Sequence, residues 1–181
     1  MKSKKEQKRE LILNTVSKLI REEGMEKLTL EAVATKAGIS KGGLLYHFPS
    51  KDALILGMIE QLSDRFITDF RSRAEGDTES KGKWTRSYVD TSVQEELCDL
   101  YVGISAAHFT NPDMLRQLQE TYVEIQEKME HDEVDPVRST IARLAIDGLW
   151  LADMFGLASP QGAFRQQIIE QIKASIQEEQ Q

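Results

Sequence analysis

One cysteine, Cys98, stands among 181 residues, so no internal disulfide framework is available; a lone thiol fits a reducing cytoplasm, with Cys98 read as a small buried hydrophobe. Long apolar runs are missing too. The most apolar stretch, residues 141–158, is interrupted by Arg143, Asp147 and Asp153, and the charged N-terminus lacks the apolar segment of a signal peptide, so no membrane association is expected. Alternating strand patterns are absent, which excludes sheet folds and leaves an all-α reading. Enzyme signatures fail as well: there is no Ser-His-Asp order with elbow glycines, no phosphate-binding G-x-x-x-x-G-K-[ST] loop and no H-E-x-x-H helix. Cys98, His108 and His131 do not have metal-ligand spacing, so neither a metal nor a cofactor is expected.

Basic charge is scarce overall but unevenly placed. Residues 1–51 hold 11 Lys and Arg against 6 Asp and Glu, a balance of +5, whereas residues 52–181 hold 12 against 24, a balance of −12. A basic head on an acidic body orients the head toward a polyanion, an asymmetry for which a purely catalytic domain has no evident use.

The most legible stretch runs from Leu28 to Leu54. Thr29 suits an N-cap, and Leu30, Val33, Ala34 and Ala37 recur at helical spacing, predicting a short helix over 30–37. Gly38 stops it by taking a left-handed turn, Ile39 points into the corner, and Ser40 caps a second helix over 41–48 anchored by Leu44, Leu45 and Phe48. The pattern is a helix-turn-helix. Thr29, Ser40, Lys41, Tyr46, His47 and Lys51 are its candidate nucleic-acid contacts, with Lys51 following the N-cap residue Ser50. Gly42 and Gly43 are costly inside a helix, at about 1 kcal/mol each relative to alanine. Either they let the backbone approach a DNA groove closely, or they mark a frayed first turn.

The core A-G-I-S-K-G-G-L-L-Y-H-F-P-S-K, residues 37–51, resembles the DNA-binding head of TetR-family transcriptional regulators, differing at Leu45, where many members carry an aromatic. That resemblance implies a homodimeric regulator, most often a repressor, with a helical body whose last two long helices pair subunits and whose cavity takes a small-molecule effector. It also implies that the helix after Ser50 connects cavity to head.

Elsewhere the periodicity predicts a first helix bearing Ile12, Val16, Leu19 and Ile20 on one stripe, preceded by a mobile basic arm of Lys2, Lys4, Lys5, Lys8 and Arg9. That arm either grips phosphates or is a solvated tail. A long helix follows from Lys51 to about Arg73, with Ile55, Ile59, Leu62, Phe66 and Phe70 on one face; residues 72–83 read as a surface loop. Trp84 to about Asp90 and Gln94 to Phe109 read as helices, with a break or a kink at residues 91–93. Three of the four prolines follow an N-cap residue, in Asn111-Pro112, Asp135-Pro136 and Ser159-Pro160, and predict helices over 112–130, 136–155 and 160–177.

The helix from Pro136 is apolar nearly all round, so part of it must be covered from outside the chain. The expected subunit interface takes Ala142, Ala145, Gly148, Leu149 and Ala152, with Phe164, Ile168 and Ile172 on the last helix. Phe66, Trp84, Tyr88, Tyr101, His108, Phe109, Tyr122, Trp150 and Met154 are candidates to line a cavity for a hydrophobic or aromatic effector, each being also ordinary core material. Asp147 contacts a cationic ligand, pairs with Arg143, or emerges at a subunit boundary.

The expected architecture is therefore all-α: a three-helix head with a helix-turn-helix over residues 1–50 and an effector-binding, dimerising body over residues 51–181. The expected partners are near-palindromic double-stranded operator DNA, a small effector and a second copy of the chain. A second reading has no effector at all, only a protein partner docking on the acidic body.

Overall fold

The computed structural model describes residues 3–94 and 112–177, and its regular structure there is wholly helical. The helices are α1 (Lys4–Glu23), α2 (Leu30–Lys36), α3 (Lys41–His47), α4 (Lys51–Gly76), α5 (Lys83–Ser92), α6 (Pro112–Glu130), α7 (Pro136–Phe155) and α8 (Gly162–Gln177), with a 3-10 turn at Met25–Lys27.

Local signals set the head. Ser3 and Glu6 form a reciprocal capping box, Ser3 Oγ accepting from the Glu6 amide at 3.2 Å and Glu6 Oε2 from the Ser3 amide at 2.7 Å. The helix therefore begins at Lys4, and Lys4, Lys5 and Lys8 ride exposed on α1 rather than on a mobile arm. Thr29, Ser40 and Ser50 each accept an amide hydrogen bond from three residues on, starting α2, α3 and α4. Between α2 and α3, Gly38 has φ +65°, the Ile39 amide donates to Ala34 O at 3.0 Å and the Gly38 amide to Thr35 O at 3.2 Å. These two bonds end α2 and turn the chain.

The head core comprises Ile12, Leu13, Val16 and Leu19 of α1, Leu28, Val33 of α2, Leu44 of α3, Phe48, and Leu54, Met58 and Leu62 of α4. Each such side chain contributes about 1.5–3 kcal/mol through burial. Gly57 keeps α4 close to Phe48: a Cβ there would lie 2.6 Å from the Phe48 ring. Leu45 departs from expectation. It is 36% exposed, because α3 turns Leu44 inward and its neighbour outward, so Leu44 and Phe48 form the anchor.

α4 passes from this core into a second one. Its far half supplies Phe70, packed with Tyr88 and Val89 of α5, Ile125 and Met129 of α6, Ala142 and Ile146 of α7, and Ile169 and Ile176 of α8. Ala74 is fully buried, so α4 continues to Gly76 and the connecting loop is shorter than the polar composition of residues 72–83 suggests. α5 ends at Ser92 with Val93 as its cap, resolving the expected break or kink as an end. The proposed Gln94–Phe109 helix and Asn111 cap lie, Gln94 apart, outside the described residues.

Asp135 caps α7, its carboxylate accepting from the Val137 amide at 2.9 Å. Ser159 does not cap the last helix. Its hydroxyl turns back to donate to Asp153, which also binds Arg165 at 2.8 Å; Ala158 has φ +50°, and α8 begins only at Gly162.

α5 has no side-chain cap of its own, since its N-cap is Gly82. Asp132, between α6 and α7 and almost fully buried, supplies one from afar. It accepts from the Trp84 amide at 2.9 Å, the Thr85 amide at 2.7 Å and the Thr85 hydroxyl at 2.8 Å. Burial still holds its carboxyl above the usual carboxylate range, with those bonds pulling the other way.

Candidate functional site

The first candidate surface is the face of α2 and α3. Thr29, Ser40, Lys41, Gly42, Tyr46 and Lys51 are exposed, while Gly43 and His47 are half-buried. Tyr46 stands 73% exposed, its ring edge-on to His47 at 5.2 Å between centroids, with the Lys5 ammonium 5.6 Å from the Tyr46 ring. Lys41 forms an ion pair with Glu31 of α2, and this bond holds the Glu31 carboxyl below its usual range. Burial, then the charges of Lys5, Lys8 and Arg9, lower the His47 pKa, so its imidazole is biased toward the neutral form.

The two glycines differ. A Cβ on Gly42 would meet nothing within 4 Å, whereas one on Gly43 would sit 3.2 Å from the capping Ser40 Oγ. Nothing inside the described chain requires a glycine at 42.

The second candidate is a cavity of about 120 Å³ in the body. Among its lining residues are Ser63 and Phe66 of α4, Tyr88 and Thr91 of α5, Tyr122 and Ile125 of α6, and Ile146, Asp147 and Trp150 of α7. Of the expected lining residues, Phe66, Tyr88, Tyr122 and Trp150 come together there. Trp84 and Met154 do not: Trp84 packs instead on Phe70 at 5.2 Å, with the Lys128 ammonium 4.9 Å from its ring. Tyr101, His108 and Phe109 lie outside the described residues.

Among the described lining residues Asp147 is the charged one, and both its oxygens accept hydrogen bonds. Oδ1 accepts from the Tyr88 hydroxyl and from the Tyr122 hydroxyl at 3.2 Å; Oδ2 accepts from Arg143 Nη1 at 2.8 Å. Burial raises the Asp147 pKa against these donors, and it raises both tyrosines, which stay protonated. Pairing with Arg143 is among the readings open from sequence; Tyr88 and Tyr122 are expected lining residues, but their bonds to Asp147, 59 and 25 residues away, carry no sequence signal.

Phe66 and Trp150 have a second role, since both also pack against the head core. Two residues of the cavity wall thus also abut the head core, Phe66 touching both cores.

On the other side of α7, Val137, Ile141, Leu144, Leu151 and Phe155 are exposed at helical spacing, with Gly148 in the same row and Leu157 and Phe164 nearby in sequence. This differs from the expected interface. Ala142 is only 2% exposed and belongs to the chain's own core, and Leu149 and Ile172 pack against that core. A helix apolar all round does not reveal from sequence which stripe its own chain covers. Gly148 and Phe164 are exposed, and Ala145, Ala152 and Ile168 are half-buried.

Residues 12–58 match the family model for bacterial regulatory proteins of the tetR family, and residues 82–177 match the tetracyclin repressor-like C-terminal domain. The chain belongs to the TetR family. TetR-family chains are regulators rather than enzymes. The Escherichia coli (strain K12) HTH-type transcriptional regulator UidR is 28% identical over 136 residues, covering 70% of this chain and 65% of UidR, so the match spans just under two thirds of that relative. YuxN of Bacillus subtilis (strain 168) is 31% identical over 98 residues, 54% of this chain and 31% of YuxN. Among solved structures, a protein from Saccharomonospora viridis described as a transcriptional regulator, in complex with choline, superposes with a TM-score of 0.75 at 17% identity, covering 94% of this chain and 96% of that one. A transcriptional regulator from Rhodococcus sp. Rha1 gives 0.72 at 17% identity, with 93% of each chain covered. At such identities the likeness is one of fold. Among the described residues no helix is long and apolar enough to cross a membrane.

Proposed function

We propose that this TetR-family chain is a homodimeric repressor that occupies a near-palindromic operator and releases it when a small molecule fills the body cavity. The observation that carries the reading is the double use of Phe66 and Trp150, which line the cavity and pack against the head core. A ligand that displaces either ring changes how the head is held. α4 runs through both cores, so residues 1–50 act as the reading head only together with the first half of α4, and residues 51–181 carry effector binding and pairing.

In this reading α3 enters the major groove, with Lys41, Tyr46 and the bare backbone at Gly42 and Gly43 against base edges. Thr29, Ser40, His47 and Lys51 then meet phosphates. Lys41 exchanges Glu31 for DNA on binding. The exposed row Ile141, Leu144, Gly148, Leu151 and Phe155 pairs with its copy about a two-fold axis, which covers an apolar stripe that a lone chain leaves in water.

Selection of bound duplexes from a random-sequence library tests the reading. The expected product is an inverted repeat bound by one dimer, with affinity falling steeply as salt rises. Recovery of unrelated sequences bound equally well would overturn it.

A further inference from the structure

Among the described residues, one buried side-chain oxygen of the cavity lining has no hydrogen-bond partner. It belongs to Thr91, which lines the cavity and is fully buried, and whose Oγ1 finds no hydrogen-bond partner among the described residues. Buried hydroxyls are nearly always paired, and leaving one unpaired is costly. The nearby charge is, by contrast, already answered. Asp147 accepts from Tyr88, Tyr122 and Arg143, and the Arg143 guanidinium carbon lies 5.7 Å from the Tyr122 ring centroid. A carboxylate and an aromatic face are the features that would recognise an organic cation, and here Arg143 engages both. Among the described lining residues, a second cation would enter beside that guanidinium with no free counter-charge.

Resting on the proposal that this cavity is the effector site, we infer that its ligand is an uncharged molecule of about one aromatic ring carrying a hydroxyl or carbonyl that pairs with Thr91. Size agrees, because a cavity of about 120 Å³ is of the order that admits a single benzene-like ring. Phe66, Trp150, Ile125 and Ile146 supply the apolar contact. Thr91 supplies the discrimination, since a polar group satisfied only by the right ligand penalises an analogue that lacks the matching group.

Calorimetric titration of the full chain with phenol, toluene and choline, three probes of similar size, tests this. Wild type is expected to bind phenol about tenfold more tightly than toluene, the order of one buried hydrogen bond, and to bind choline least. Thr91→Val and Thr91→Ala both remove the hydroxyl, and in either one the phenol preference should vanish with toluene affinity kept. Thr91→Ser should retain the preference. Toluene and phenol binding wild type equally, a phenol preference surviving in the Thr91→Val or Thr91→Ala protein, or choline binding best would each overturn the ligand class while leaving the effector site standing. If wild type bound none of the three, the effector-site reading would fall with it.

Discussion

Phe66 of α4 meets Tyr88 of α5 edge to face, ring centroids 6.0 Å apart and planes at 73°. The Tyr88 hydroxyl in turn donates to Asp147 of α7, so α4, α5 and α7 are joined across one cavity wall by an aromatic contact and a hydrogen bond. Both links are discrete contacts that a molecule in the cavity can disturb. Phe66 also touches the head core, so the disturbance has somewhere to go. Coupling of this kind is reciprocal: a ligand that weakens DNA binding must itself be weakened by DNA to the same degree.

Gly42→Ala separates folding from recognition. The new methyl meets nothing within 4 Å, so the variant should gain up to about 1 kcal/mol of stability from helix propensity. Operator affinity should fall at the same time, because in the proposed docking the methyl would stand where the groove approaches. Urea melts and anisotropy titrations on one preparation check both signs; tighter or unchanged DNA binding would assign Gly42 to a frayed turn instead.

Gly148→Arg probes the α7 stripe. The position is open in the single chain, so the protomer should fold normally, whereas at a two-fold axis the arginine both clashes and buries charge. Sedimentation should show a folded monomer with operator binding lost. A tight dimer would move the interface elsewhere.

Asp132→Ala removes the distant cap of α5 and leaves two amides and a hydroxyl unpaired in a buried place. A loss of about 2–3 kcal/mol is expected by denaturant titration. Little change would mean that water replaces the carboxylate.

His47 gives the stability a pH dependence. Its folded-state pKa lies below the ordinary 6.5, so protonation favours the unfolded chain; the penalty is absent well above 6.5 and grows as pH falls through it toward the folded value. His47→Gln should therefore lose less stability than wild type between about pH 7.5 and pH 5, the span across which an ordinary histidine titrates. Parallel losses in the two proteins would remove His47 from the balance.

Local chemistry explains why the head was readable. Thr29, Gly38, Ser40 and Ser50 act within a few residues of themselves, through caps and a turn, and the amphipathic stripes of α1 and α4 point one way only. The body turned on choices that distance decides. Ser159 had the pattern of a cap but found Asp153 first; the α7 stripes differ only in which one the chain's own α5, α6 and α8 cover; and Asp132 reaches α5 across 47 residues. Thr91 is a site candidate only because the fold buries it without a partner, which no periodicity announces.

The central claim is that filling the cavity loosens operator binding through Phe66. Its most direct test is operator affinity measured with and without saturating phenol, for wild type and Phe66→Ala. Phenol should weaken wild-type binding at least about fivefold, the lower end of allosteric coupling, while Phe66→Ala, whatever its own ligand-free affinity, should lose most of the phenol effect. A full phenol response in Phe66→Ala, or none in a wild type that binds phenol, would contradict the account.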